Sequence, residues 1–89
     1  MEQKLHEIIA STLHAIDIKG FTITIDNVSH KHAGHFTGSG DTHFVITVKS
    51  DELLARKPLE RHRILNNATA NLMNEIHSIS FKVISQSVR

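Results

Sequence analysis

Histidines are concentrated in one glycine-containing stretch of the chain. Residues 30–44 read HKHAGHFTGSGDTHF and contain His30, His32, His35 and His43. Imidazole nitrogens are common metal ligands, so this density of histidine predicts metal chemistry. Soft metals and iron–sulfur clusters usually also take thiolates, yet the chain has no cysteine. The stretch is therefore a complete nitrogen site, part of a site that another molecule completes, or a solvated loop.

A complete zinc site from the four histidines is the first alternative. It would place four imidazole nitrogens about 2.0–2.1 Å from one metal ion, which the spacing permits. Ordering a segment that contains Gly34, Gly38 and Gly40 would cost roughly 1–2 kcal/mol per residue in backbone entropy. This cost disfavours a site built by the segment alone.

Length and composition predict one small cytoplasmic domain spanning residues 1–89. The formal charge is only +1, with ten Lys and Arg against nine Asp and Glu, although eight histidines would raise it in mild acid. A nearly neutral chain argues against a strongly electrostatic nucleic-acid or membrane binder. The N-terminal MEQKLHEIIA is amphipathic, unlike a signal peptide, and no apolar run is long enough to span a membrane.

Hydrophobic periodicity predicts an α+β fold with the element order αββααβ. Apolar residues at helical spacing predict a helix over residues 3–16, and alternating ones predict strands over 21–26 and 42–50. Ser50 could cap a short helix, and Pro58 suits the first turn of the next one. That helix carries one predicted buried stripe: Leu59, His62, Leu65, Thr69, Leu72 and Ile76. A third strand with inward Ile79, Phe81 and Val83 completes a sheet with helices on one face and a solvated outer face.

Four segments of the chain together resemble the BolA family. DNVSHKHAG, THFVITVKSD, LERHRILNNA and NEIHSISF follow one another in the family's order and spacing, from about residue 3 to residue 85. The most specific part is RHR on a helix followed by HSIS. The resemblance implies a fold related to type II KH domains and a role in iron–sulfur trafficking with a monothiol glutaredoxin. Some members of the family are also described as transcriptional regulators.

The resemblance also implies two metal ligands, His77 and His32. His77 stands where the long helix is predicted to end and the last strand to begin, which is the position of the family's metal-binding histidine. His32 stands in the loop from which related proteins donate a histidine or cysteine. The simpler interpretations are a polar residue that closes a helix for His77 and a solvated loop residue for His32.

Ligand chemistry predicts that this chain supplies half of a cluster site. A [2Fe–2S] cluster held by two histidines and two thiolates is a known arrangement, and this chain lacks the thiolates. The resemblance implies that a monothiol glutaredoxin and a bound glutathione supply them in a 1:1 heterodimer. The isolated chain is then expected to bind no cluster.

The helix that follows Pro58 also contains half of a basic cluster. Helical periodicity turns His62 toward the apolar stripe, which predicts a buried structural histidine. Arg61 and Arg63 flank it and, with Arg56 and Lys57, form a candidate surface for an acidic partner or a nucleic acid. Their simpler interpretation is a solvated basic face.

Two other functional classes have less support. A DNA-binding transcriptional regulator is the main alternative, but KH domains clamp nucleic acid with a GXXG loop, and the corresponding ELLARKPL has no glycine. The predicted sheet also lacks exposed aromatic residues for base stacking. The net charge of +1 leaves few phosphate contacts, so only weak DNA binding is expected. We expect no enzymatic activity, because neither Ser29 nor Ser39 lies in a motif that would activate a nucleophile.

Overall fold

The computed structural model describes residues 1–28, 43–76 and 78–86 of the chain. The elements follow one another in the predicted order αββααβ. They are helix α1 (Glu2–Ala15), strands β1 (Thr22–Asn27) and β2 (His43–Lys49), helices α2 (Asp51–Leu54) and α3 (Pro58–Thr69), a 3-10 turn (Ala70–Leu72) and strand β3 (Ser78–Ile84).

The three strands form one mixed sheet in the order β1-β2-β3. β1 pairs with β2 in the antiparallel sense, with Ile25 opposite Ile46, and β2 pairs with β3 in the parallel sense, with Ile46 opposite Phe81. A parallel pair needs a long crossover connection, which α2 and α3 supply here. The structure therefore confirms the predicted α+β class.

The core lies between one face of the sheet and the helices. Phe44, Ile46 and Val48 of β2 are at most 1% exposed, and Leu5, Ile9 and Leu13 of α1 are fully buried in the same cluster. On the opposite face of the sheet, Thr22, Thr24, Ser80 and Lys82 are exposed, as predicted, whereas Thr47 of the central strand is half-buried. No helix in the described ranges is long and apolar enough to cross a membrane.

Local capping interactions set several helix ends. Ser50 is fully buried, and its Oγ accepts a hydrogen bond from the Leu53 amide at 3.1 Å, which confirms the predicted cap of α2. Pro58 is the first residue of α3, as expected. At the end of α1, Asp17 adopts a left-handed φ of 63°, and the amides of Asp17 and Ile18 donate to the carbonyls of His14 and Leu13. These two bonds form a Schellman motif, which ends the helix.

α3 is shorter than the apolar stripe predicts. Its α-helical hydrogen bonding ends at Thr69, and a 3-10 turn and an irregular turn lead to the buried Ile76. The Thr69 hydroxyl donates to the Leu65 carbonyl at 3.1 Å, and a back-bond of this kind weakens the regular helix. The asparagines at 71 and 74 also have low helix propensity. From Leu65 to Ile76 the stripe therefore continues across a turn and not along one helix, whereas Leu59 at its predicted start is 60% exposed.

The Glu52 carboxylate connects α2 to the segment that precedes β1. One of its oxygens accepts hydrogen bonds from the amides of Gly20 at 2.9 Å and Lys19 at 3.0 Å. These two bonds lower the pKa of Glu52 from its ordinary value of 4.5, because they favour the charged form. The bond from Gly20 has the larger effect. The ionised form of Glu52 therefore stabilises the fold more than the protonated form does.

We predict that Glu52→Gln destabilises the protein at pH 7 and that the difference from wild type disappears in acid. Since the folded pKa is lowered, the stabilisation is present above the ordinary value of 4.5 and is lost as the pH falls through the folded value. Urea unfolding followed by circular dichroism between pH 7 and pH 2 measures this effect. Glu75→Gln, at another exposed position, is the control. Equal urea midpoints for Glu52→Gln and wild type at pH 7 would contradict the prediction.

Candidate functional site

Most residues of the predicted metal site lie outside the described part of the chain. Both predicted ligands, His32 and His77, lie outside it, as do His30 and His35 of the alternative zinc site. The two serines considered as nucleophiles, Ser29 and Ser39, also lie outside the described residues. Of the histidines in the 30–44 stretch, the structure places His43. Within the described ranges, no group of three or more His, Cys, Asp or Glu side chains could hold a metal ion.

The described neighbours of these residues meet at one edge of the sheet, which we call the His43 edge. It consists of Asn27 and Val28 at the end of β1, His43 at the start of β2 and Ser78 at the start of β3. The Val28 amide donates to the His43 carbonyl at 3.0 Å, and His43 lies opposite Ser78 in the parallel register. The chain between 28 and 43 thus leaves and re-enters the sheet here, and residue 77 directly precedes Ser78. The segments that carry the two predicted ligands are attached to the same edge.

A side-chain hydrogen bond joins two strands at this edge. His43 Nδ1 lies 2.8 Å from Ser78 Oγ in a half-buried position, and the direction of the bond depends on the imidazole tautomer. Because the strand pattern turns Phe44 inward, the sequence predicts that His43 faces the open side of the sheet, but it does not indicate a contact with Ser78. The strand alternation was visible in the sequence, whereas the pairing of two residues 35 positions apart was not.

The basic cluster divides into two structural cations and two exposed ones. Arg56 donates to Glu60 and to the Ile16 carbonyl, both at 3.3 Å, and Arg61 donates to the Leu54 carbonyl at 2.8 Å. Both carbonyls belong to the C-terminal ends of helices, where the helix dipole also favours a cation. The two exposed cations, Lys57 and Arg63, make no such bond in the part of the chain described. Together with Leu59, which is 60% exposed, they border an open groove beside the start of α3.

The prediction that His62 is a buried structural histidine is wrong. Its side chain is exposed beside a small groove between α3 and β3, near Phe81 and Val83. Each residue turns an α-helix by about 100°, so a step of three residues falls about 60° short of a full turn. His62 therefore lies well to one side of the buried Leu65. Arg61, four residues before Leu65, is closer to the buried face and is half-buried.

We predict that Arg61→Ala lowers the free energy of unfolding by about 0.5–1.5 kcal/mol, because it removes the hydrogen bond to the end of α2. His62→Ala and Arg63→Ala should each change it by less than about 0.5 kcal/mol, as is usual for exposed positions. Urea unfolding of the three variants at neutral pH measures the difference. A larger loss for His62→Ala than for Arg61→Ala would show that our assignment of the two side chains is inverted.

Comparison with known proteins identifies a matching family and solved structures with the same fold. The model of the family described as BolA-like protein matches residues 20–87. Two solved structures from Arabidopsis thaliana share the fold. The BolA domain of SufE1 is 24% identical, with a TM-score of 0.63 over 89% of this chain and 88% of that one. BolA1 is 19% identical, with a TM-score of 0.67 over 96% of this chain and 95% of that one.

A third solved structure, a Bol-like protein from Babesia bovis, is more distant. It is 21% identical, with a TM-score of 0.50 over 90% of this chain and 83% of that one. No curated protein sequence matches the chain. At these identities the solved structures support the fold, and the family model supports the family.

Proposed function

Because the chain belongs to the BolA family, we propose that it is an adaptor that binds a monothiol glutaredoxin. In this proposal the two proteins share a glutathione-ligated [2Fe–2S] cluster as cargo, for cluster trafficking or iron sensing. The observation that carries the proposal is the meeting of β1, β2 and β3 at the His43 edge, where both segments with a predicted ligand are attached. The lack of cysteine suits a reducing compartment such as the cytoplasm.

The available donors fit half of such a site. His32 and His77 would supply imidazole nitrogens, and imidazole replaces thiolate on one iron of some [2Fe–2S] clusters. The chain has no thiolate, so the remaining ligands come from the glutaredoxin cysteine and the glutathione thiol. The chain's own part is to bind the partner and present two neutral nitrogens. This role is that of an adaptor and not of an enzyme.

We predict that the chain forms a 1:1 heterodimer with a holo-glutaredoxin and that His77→Ala abolishes the shared cluster. The substitution removes one of the two nitrogens that this chain contributes. His32→Ala should weaken or alter the cluster, because neighbouring loop histidines offer the same donor. Visible circular dichroism and light scattering after size exclusion measure the cluster and the stoichiometry.

His6→Ala, an exposed position on α1, is the matched control and should behave as wild type. The isolated chain reconstituted with iron and sulfide should lose its colour on desalting. A stable chromophore on the isolated chain, or a normal cluster spectrum with His77→Ala, would contradict the proposed ligand set.

The alternative function is a DNA-binding transcriptional regulator that uses the helical surface at the start of α3. The exposed Lys57 and Arg63 favour it, since both could contact phosphates. Arg56 and Arg61 favour it less, because they already donate to carbonyl oxygens of the chain. The Glu60 carboxylate beside Arg56 also reduces the positive potential there.

We predict weak DNA binding with a shallow salt dependence. Two phosphate contacts give a slope of log K against log salt of about −1.8, whereas four give about −3.6. Fluorescence anisotropy with a 20-base-pair duplex between 50 and 200 mM salt measures the slope. Lys57→Ala and Arg63→Ala should each reduce its magnitude by about 0.9. Submicromolar, sequence-selective binding at 150 mM salt with the steeper slope would favour the regulator over the adaptor.

A further inference from the structure

The cross-strand pair at the His43 edge has a geometry that suits a positioning role. His43 Nδ1 and Ser78 Oγ are 2.8 Å apart, and the two residues face each other at the first register position of the parallel β2–β3 pair. His43 is itself bonded to the other side of the sheet, since its carbonyl accepts from the Val28 amide at 3.0 Å. One residue therefore joins the end of β1 to the start of β3.

We infer that Ser78 and His43 are positioning residues that fix the start of β3 and so hold the backbone beside residue 77 before a partner binds. This inference rests on the proposed function, in which His77 is a ligand. Ser78 is attached directly to residue 77, so any movement of Ser78 is passed to that residue. A ligand that is placed in advance loses less conformational freedom when the cluster binds.

The start of β3 needs such a bond more than the middle of the strand does. β3 is an edge strand, paired with β2 on one side, and strand ends open more readily than strand centres. Farther along the same outer face, the opposed pairs are Val45 with Ser80 and Thr47 with Lys82. The described side chains of these two pairs form no hydrogen bond with each other. The polar cross-strand contact thus lies next to the predicted ligand and not along the strand.

Ser78→Ala tests the inference against two matched variants. Ser78→Thr keeps the hydroxyl, and Ser80→Ala removes a hydroxyl two residues farther along the strand, where the opposing residue is Val45. Each variant is mixed with a holo-glutaredoxin. The rate of cluster loss to a chelator and the visible circular dichroism spectrum are then recorded. Amide hydrogen exchange at Ser78 and Ile79 and the melting temperature are measured on the chain without a cluster.

We expect Ser78→Ala to lose the cluster about 3- to 10-fold faster and to raise exchange at the two amides by a similar factor, the effect of one net hydrogen bond. Ser78→Thr and Ser80→Ala should match wild type in both measurements. His43→Ala combined with Ser78→Ala should release the cluster no faster than the more affected single variant, because both substitutions break the same bond.

The possible failures are distinguishable. If wild type holds a cluster with the glutaredoxin and Ser78→Ala releases it at the rate of Ser80→Ala, the positioning role is wrong while the proposed function stands. If Ser78→Ala lowers the melting temperature but neither cluster loss nor amide exchange differs from Ser80→Ala, the bond is merely structural and the inference is overturned. If wild type itself forms no cluster with the glutaredoxin, the proposed function fails and the positioning role fails with it.

Discussion

The central strand β2 pairs with β1 in the antiparallel sense and with β3 in the parallel sense, and most of the architecture follows from this combination. An antiparallel neighbour ends where β2 begins, and a parallel neighbour begins there as well. The start of β2 is therefore the point where the connection after β1 returns and where the connection before β3 arrives. Because of this constraint, residues far apart in sequence are attached to one edge of the sheet.

The register at that edge is fixed by the core and not by the edge itself. Phe44, Ile46 and Val48 are almost completely buried, and burying such a side chain contributes about 1.5–3 kcal/mol. A slip of one residue would turn all three toward solvent, so the register is strongly specified. His43 directly precedes Phe44, and its side chain lies on the other face of the sheet. The register that buries Phe44 therefore also pairs His43 with Ser78. The polar contact is thus positioned by the burial of apolar residues on the other face of the sheet.

Local patterns predicted much of this fold. The alternation in FTITID and around Ile46, the cap at Ser50 and the place of Pro58 all depend on near neighbours in sequence, and the structure confirms each of them. The error at His62 arose because a stripe drawn in steps of three residues drifts around the helix. The His43–Ser78 contact could not be predicted in the same way, since it depends on the sense and register of a pairing across 35 residues. The predicted ligands His32 and His77 rest on sequence resemblance together with the edge to which their neighbours are attached.

The basic cluster and the His43 edge lie at different ends of the sheet. α2 begins directly after β2 ends, where the Ser50 amide donates to the Ile84 carbonyl at the end of β3. The cations near the start of α3 therefore lie at the end of the sheet where β2 stops. His43 is seven residues before Ser50, at the other end of a strand about 20 Å long. Arg56 and Arg61 donate there to the ends of α1 and α2, whereas Lys57 and Arg63 are exposed. Charge screening at physiological salt acts over about 8 Å, which is shorter than the strand that separates the two ends of the sheet. Substitutions at Lys57 and Arg63 are therefore expected to leave the His43 edge unchanged.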